Sequence, residues 1–287
     1  RCCVRVDKRT GSSTLSRTSR WSSESVRPPA VAGQFYPGSS AELERQLDEF
    51  MPPAEEMPIV GGVVPHAGYV YSGRIAAMVH SRLPKRETYV ILGPNHHGLG
   101  SPVALSRDSW RTALGVVTPD LELADLLTGS IIDHDEAAHK HEHSIEVQIP
   151  FLQRRFEDFK ILAISMGMQD EDTAVEVGEE IARAALKLKR ECTVIASSDF
   201  THYEPRDVAR KVDSQIIEAI LNMDIPQIYS RVYRYNASSC GIGPIAATIA
   251  ASRLLGASSG KLLCYGTSGD VSGDYSQVVG YGAIVFT

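Results

Sequence analysis

The 287-residue chain lacks any apolar run long enough to cross a bilayer. Its most apolar helix candidate, Gly241–Gly256, carries Pro244 and Arg253 and falls short of the roughly 20 residues that a span requires, so no membrane association is expected. Basic charge is not in excess either. The 29 Lys and Arg stand against 35 Asp and Glu, for a net charge of -6, and no long basic stripe interrupts the chain, which argues against a surface built to neutralise nucleic-acid phosphates. Cysteine is scarce and odd in number: Cys2 and Cys3 are adjacent, while Cys192, Cys240 and Cys264 lie far apart. That is no disulfide framework, and a reducing cytoplasm is the expected setting. No GxxxxGK[ST] occurs and no GxGxxG follows a strand pattern, so a phosphate cradle is not expected, and CGIGP is too short to serve as one. CxxC, HExxH and GxSxG are missing as well, which removes the zinc and serine hydrolase families that depend on them.

What is present is an ordinary globular composition, 43% hydrophobic and 22% charged, in a length that suits one large domain. The first 26 residues stand apart. They are rich in Ser, Thr and Arg, poor in aliphatics and without an initiator Met, and are expected to be disordered or a non-native extension; 27–287 then forms the domain. From Pro58 onward short β-rich runs alternate with helical patterns, which predicts an α/β fold with a central, mainly parallel or mixed sheet flanked by helices. The strand candidates are Ile59–Val64, Thr88–Leu92, Phe159–Met166 and Thr193–Ser197, with Lys261–Thr267 and Gln277–Phe286 closing the chain around a flexible Ser268–Ser276 loop. Helices are predicted over Ser39–Phe50, Gly73–Arg82, Asp120–Thr128, Ser144–Phe156, Asp170–Lys189 and Arg206–Met223, two of them supported by capping residues, Ser39 or Ser40 before Glu42 and Glu44, and Asp170 before Glu171 and Asp172.

Of nine histidines, five sit at strand ends or in Gly/Pro-punctuated loops: His66 in PHAGYVYSG, His96 and His97 in LGPNHHG, His143 in HEHSIEVQIP and His202 in SSDFTHY. Ligands of open α/β sheets lie beyond the carboxyl ends of the strands, and three strand candidates lead directly into His66, His96 and the Asp199–His202 pair, so these groups are expected to converge on one sheet edge. A histidine after a strand is either a ligand or a loop hydrogen-bond partner, and of the adjacent His96 and His97 only one reaches an ion from a short turn. Asp199 beside His202 reads either as the carboxylate that fixes the imidazole tautomer of a general base or as a helix cap. His143 sits at a helix start, placed to contact a bound anion or oxygen. Glu142 and Glu146 read as capping residues on a solvated first turn, and His139 and His141 as solvent-facing. Cys240, before Gly-Ile-Gly-Pro at a helix start, is set where the helix dipole lowers a thiol pKa, although a buried inert cysteine is the alternative; Cys192 and Cys264 are assigned to core packing. Tyr36, Tyr69, Tyr71 and Tyr203 either line a cleft or pack.

The ordered set AVAGQFYP, PHAGYVYSG, ILGPNHH, EHSIEVQIPFL, SSDFTHY and the late CG..P resembles the MEMO family, also called the AmmeMemoRadiSam system protein B group, from about Pro28 to the C-terminus. That resemblance implies a fold similar to the class III extradiol dioxygenases, non-haem Fe(II) enzymes with two His and one carboxylate on the metal. Carried over by motif, His66 and His96 would be the imidazole ligands and Cys240 would stand in the place of the carboxylate. His202, with Asp199 beside it, would fall where the catalytic base lies, and His143 where a histidine contacts substrate or oxygen. A thiolate is softer than a carboxylate, so the set tolerates iron, copper or zinc, and dioxygenase activity does not come with the fold. The resemblance also implies a metal-binding redox role, a peptide-binding cleft in animal members, and functional association with AMMECR1-like and radical SAM proteins. Three functions follow as expectations: an iron or copper oxidoreductase acting on a small molecule, a peptide- or partner-binding scaffold using the same cleft, and a zinc-dependent hydrolase.

Overall fold

The computed structural model describes residues 25–287. Most of the stretch set aside above, 1–24 with Cys2 and Cys3, lies outside the described residues. Val26 is described and opens β1 (Val26–Arg27). In chain order there follow α1 (Ser40–Phe50), β2 (Gly61–Val64), α2 (Tyr69–His80), β3 (Thr88–Pro94), β4 (Val103–Leu105), β5 (Ser109–Thr112), β6 (Gly115–Val117), α3 (Leu121–Leu127) and β7 (Asp133–His134). After two short 3-10 turns come α4 (Ile149–Arg155), β8 (Lys160–Met166), α5 (Glu171–Leu188), β9 (Cys192–Ser197), β10 (His202–Glu204), α6 (Arg206–Leu221), α7 (Ile225–Tyr235), α8 (Ile242–Leu254), β11 (Gly260–Thr267), α9 (Gly269–Ser272) and β12 (Val278–Phe286).

The expected α/β architecture is observed, with a mixed central sheet. β2, β9, β3 and β8 run parallel at its centre, while β12 adds antiparallel to β2 and β4 antiparallel to β8. The central strands are buried along nearly their whole length because helices cover both faces. Alternation then sorts them: Val90 and Leu92 of β3 join the core formed with α3, α5, α6, α7 and α8, whereas Tyr89 and Ile91 join the core formed with α1, α2 and α4. A separate three-stranded sheet, β1-β5-β6, places the buried Trp110 in the second core. Among the described residues no helix is long and apolar enough to cross a membrane.

Some predicted elements shift for local reasons. Pro150 in the first turn of α4 fixes the start of the α-helix there, so the predicted helix from Ser144 opens instead with a 3-10 turn, Glu146–Gln148. The Ser268–Ser276 loop contains α9, whose Asp270 carboxylate accepts from Thr267 N at 2.7 Å. Asp170 caps α5 as expected, accepting from Thr173 N at 3.0 Å, but the Ser39 hydroxyl donates to Glu42 at 2.9 Å rather than capping α1. α7 was absent from the predicted elements, although Asp224 as N-cap, Pro226 in the first turn and Ile225, Ile228, Tyr229 and Val232 on one face mark it.

Candidate metal centre

Parallel register brings the chemistry together. Val64 pairs with Ser197 and Leu92 with Ala196, so β2, β9 and β3 end level and deliver His66, Asp199 and His96 to one edge. His143 enters from the turn between the two 3-10 segments, Glu136–His139 and Glu146–Gln148, its carbonyl accepting from Val147 N at 3.1 Å. Ligand nitrogens of His66, His96 and His143 lie within 4.8 Å of one another, and the His96 and His143 rings stack with centroids 4.6 Å apart. Cys240 Sγ is 3.3 Å from His66 Nε2 and stands beside this set. Thus His143, expected to contact substrate, groups with the expected ligands His66 and His96, and it is His96 rather than His97 that joins them.

Two glycines make the approach possible. A Cβ on Gly93 would collide with the Ser144 hydroxyl and come within 2.9 Å of Ile145 Cγ1, so only glycine lets the His143 segment lie against the end of β3. A Cβ on Gly241 would sit 2.7 Å from Ser197 O, which would push the Cys240 loop off β9. Gly93→Ala is therefore expected to cost about 1–3 kcal/mol, the usual range for overpacking, and to weaken metal binding by moving His143. Chemical denaturation and metal titration of the same variant check both, and an unchanged metal affinity would contradict the packing account.

A buried polar chain fixes which nitrogen of His66 is free. Ser197 Oγ has a single proton, directed to Ser144 O at 2.7 Å, and it accepts from Gln148 Nε2 at 3.0 Å. The 3.0 Å contact from His66 Nδ1 to the same oxygen must then be donated by the imidazole, which leaves Nε2 bare and facing Cys240. Gln148 also donates to Pro65 O at 2.9 Å and accepts from the buried His80 Nε2 at 3.0 Å. Gln148, Ser144 and Ser197 were not among the predicted site residues. Polar residues inside the apolar EHSIEVQIPFL and IASSDF runs were the available signal.

Burial holds the imidazoles neutral. His66 is pushed well below its ordinary value, first by burial and then by His96, His143 and His202. Burial likewise takes His143 and His80 to about 4 and His139 to about 3. The stability these groups contribute is complete above their unfolded value near 6.5 and is lost as pH falls toward the folded values. Asp199 opposes them: burial raises its carboxyl to about 7, so its contribution is present at low pH and is lost as pH rises through that value. Burial also lowers His96 and raises Glu142 and Asp213, so five lowered histidines stand against three raised carboxylates, and the histidines, three of them taken to about 4 or below, outweigh them. Metal-free protein is therefore expected to lose on the order of a few kcal/mol between pH 6.5 and pH 5, measured by urea unfolding at each pH; stability that is flat or rising toward pH 5 would refute it.

Asp199 does not play either role expected of it. Its Oδ1 accepts from His66 N at 2.8 Å, tying the two strand ends together, and Oδ2 lies 3.9 Å from His66 Nε2. The His202 tautomer is set by a backbone carbonyl instead: Nδ1 bonds Ser238 O at 2.8 Å, so that imidazole also presents a bare Nε2. The Cys240 thiol is not lowered by its helix. Burial, then the Asp199 carboxylate, pushes it up, so the thiol holds its proton while no cation is near.

Beneath His143 lies a buried ionic clasp. Arg27 donates from Nε to His139 O at 2.6 Å, from one terminal nitrogen to Glu146 Oε2 at 2.7 Å and from the other to Glu142 O, while its guanidinium stacks 4.0 Å over Trp110. Glu146 also accepts from Ala30 N at 2.7 Å, Val31 N at 3.0 Å and Tyr36 OH at 2.9 Å. The expectation of a solvated first turn is thus overturned. Glu142 does cap, accepting from Ile145 N at 2.9 Å, but both carboxylates are buried. His139 is fully buried as well, bonding Ala104 O at 3.1 Å, whereas His141 is exposed as expected. Tyr36 and Tyr69 are packing residues; Tyr71 and Tyr203 are exposed. Cys192 and Cys264 pack with the cores as assigned.

Comparison with known proteins agrees with the motif resemblance. The family described as Memo-like protein matches residues 27–285. A MEMO1 family protein of Methanosarcina barkeri is 57% identical over 91% of this chain and 99% of its own length. One of Archaeoglobus fulgidus is 51% identical over the same shares, and one of Methanocaldococcus jannaschii 48% identical over 91% and 98%. Among solved structures, an uncharacterized protein from Escherichia coli K12 superposes with a TM-score of 0.51 at 13% identity, covering 79% of this chain and 99% of that one, a likeness of fold alone.

Proposed function

The chain belongs to the MEMO family of Memo-like proteins, and from that premise we propose that it is a metal-binding redox protein, an oxidoreductase that holds iron or copper at the edge of its central sheet. One observation carries this reading: three imidazole donors within 4.8 Å of one another, one of them with its free nitrogen fixed by a buried hydrogen-bond chain. The residues fit such an ion. Neutral imidazoles with a thiol alongside suit copper, iron or zinc and not the hard cations that prefer oxygen. His66, His96 and His143 would hold it, with Cys240 releasing its proton to join them. A bound iron or copper ion would supply one-electron redox chemistry and electrophilic polarisation of a substrate oxygen.

The remaining residues handle the substrate. His202, half-buried with Nδ1 committed to Ser238, offers Nε2 as the base that takes a proton from a substrate hydroxyl. Asp199, whose carboxyl is raised to about 7, orients the His66 backbone and holds or gives up a proton near neutral pH. A second reading, a cleft that binds a peptide or partner, is favoured by Tyr203: it is 69% exposed beside His202 and held at a φ of 60°, a conformation costly for a tyrosine.

Metal content after anaerobic loading with iron, copper and zinc in competition tests the proposal, followed by oxygen uptake with catechols and reductants. Near-stoichiometric iron or copper is expected, with oxygen consumption that His202→Ala reduces about 10²–10⁴-fold, the usual contribution of a general base. Metal-loaded protein that consumes no oxygen with any of these would remove the oxidoreductase assignment. Peptide binding unaffected by His66→Ala would then favour the cleft.

A further inference from the structure

Outside the inner set, two more imidazoles lie beside it. His97 and His141 are both exposed, with ring centroids 5.8 Å apart, close to the 5.7 Å that separates His66 from His143 within the inner set. The His97 ring also lies 6.3 Å from that of His143. Exposure differs sharply between the two ends of the cluster. His97, His141 and His96 are exposed, His143 is half-buried and His66 is 3% exposed. The inner donors therefore meet solvent on the side where His97 and His141 stand.

From this arrangement we propose that His97 and His141 form an outer capture site for a transition-metal cation, which passes by ligand exchange through His143 and His96 to His66. The proposal rests on the metal-binding reading above and adds a second, weaker site and a direction of transfer. Two exposed imidazoles bind a borderline cation weakly enough to release it, and His143 is near both groups, so the ion exchanges one imidazole for another without passing through bulk water. The strongly desolvated His66 is a poor first point of encounter for a hydrated ion; within the inner set only His96 is exposed, and His97 and His141 add two exposed imidazoles to it.

Cobalt(II) alone, mixed with metal-free protein in a stopped-flow instrument, is the probe, because its absorption reports ligand number and thiolate ligation. In wild type, filling of the inner site and a second, weaker equivalent are expected. The double variant His97→Ala/His141→Ala should fill the inner site about tenfold more slowly, the scale of a local-concentration effect on an on-rate, reach the same final spectrum and lose the weaker equivalent. Both side chains are exposed, so little change in stability is expected, and each single variant should give an intermediate rate. Filling at the wild-type rate would overturn the capture site while leaving the inner site standing. A double variant whose final inner occupancy drops would overturn it too, because these residues would then hold the resident ion. Wild type that takes up no cobalt would overturn the metal-binding reading itself.

Discussion

His66→Ala is expected to abolish near-stoichiometric metal retention, with an affinity loss of at least about 10²–10³-fold. Structural zinc sites bind with roughly 10–16 kcal/mol in total, so on that scale each of four donors accounts for about 2.5–4 kcal/mol, and about 1.4 kcal/mol is a tenfold change. His66 should exceed that share because it is the one donor whose orientation is fixed from behind: Ser197 holds Nδ1, and Gln148 and Ser144 hold Ser197. Removing it also strips Cys240 Sγ of the imidazole nitrogen 3.3 Å away. Cys240→Ser is expected to lose less, since Cys240 stands beside the three-imidazole set and not within it. Gln148→Ala, which touches no ion, is expected to lose about 10–100-fold by freeing the tautomer and tilt of His66. Competition titration against a chelator ranks all three. His66→Ala protein that keeps wild-type affinity would place the ion elsewhere.

The site is partly legible in the sequence because the rule that brings ligands to the carboxyl ends of strands is a rule of topology. Pro65 stops β2 just before His66, and β3 leads into the loop that carries His96 and His97, so the rule reaches His66 and that pair, while the choice of His96 within it comes from the motif resemblance alone. The grouping of His143 with them was not legible, because it depends on how closely its segment approaches β3. Gly93 sets that approach, and a glycine in a strand does not announce what packs against it. The misplacement of Glu142, Glu146 and His139 on a solvated turn has the same origin. Charged residues read as exposed unless their partner is known, and Arg27, the partner, lies about 110 residues earlier at the boundary of a stretch set aside as an extension. Local patterns give helices and strands, whereas buried polar pairing is a long-range property.

That clasp carries the second large expectation. Arg27→Met should cost about 3–5 kcal/mol, the range for removing one partner of a buried ion pair and leaving the other charge uncompensated. At about 2–4 °C per kcal/mol for a domain of this size, the Tm falls by roughly 6–20 °C. Arg27 and Glu146 are 4% and 0% exposed, so solvent cannot replace the lost partner. Ala30 N, Val31 N and Tyr36 OH still donate to Glu146, which places the expected loss toward the lower end. Arg27→Lys should recover only part of it, because one ammonium cannot reach His139 O, Glu142 O and Glu146 together as the guanidinium fork does. If the charge left behind is the cause, adding Glu146→Gln to Arg27→Met should restore stability relative to Arg27→Met alone, a coupling that a packing defect at Trp110 would not produce. The same variant should also weaken metal binding, since the carbonyls of His139 and Glu142 that Arg27 holds lie on the segment that carries His143. A loss below about 1 kcal/mol, the value of an exposed ion pair, would show that Arg27 contributes no more than a surface residue, and that His143 is positioned by the packing of Ser144 and Ile145 against Gly93 alone.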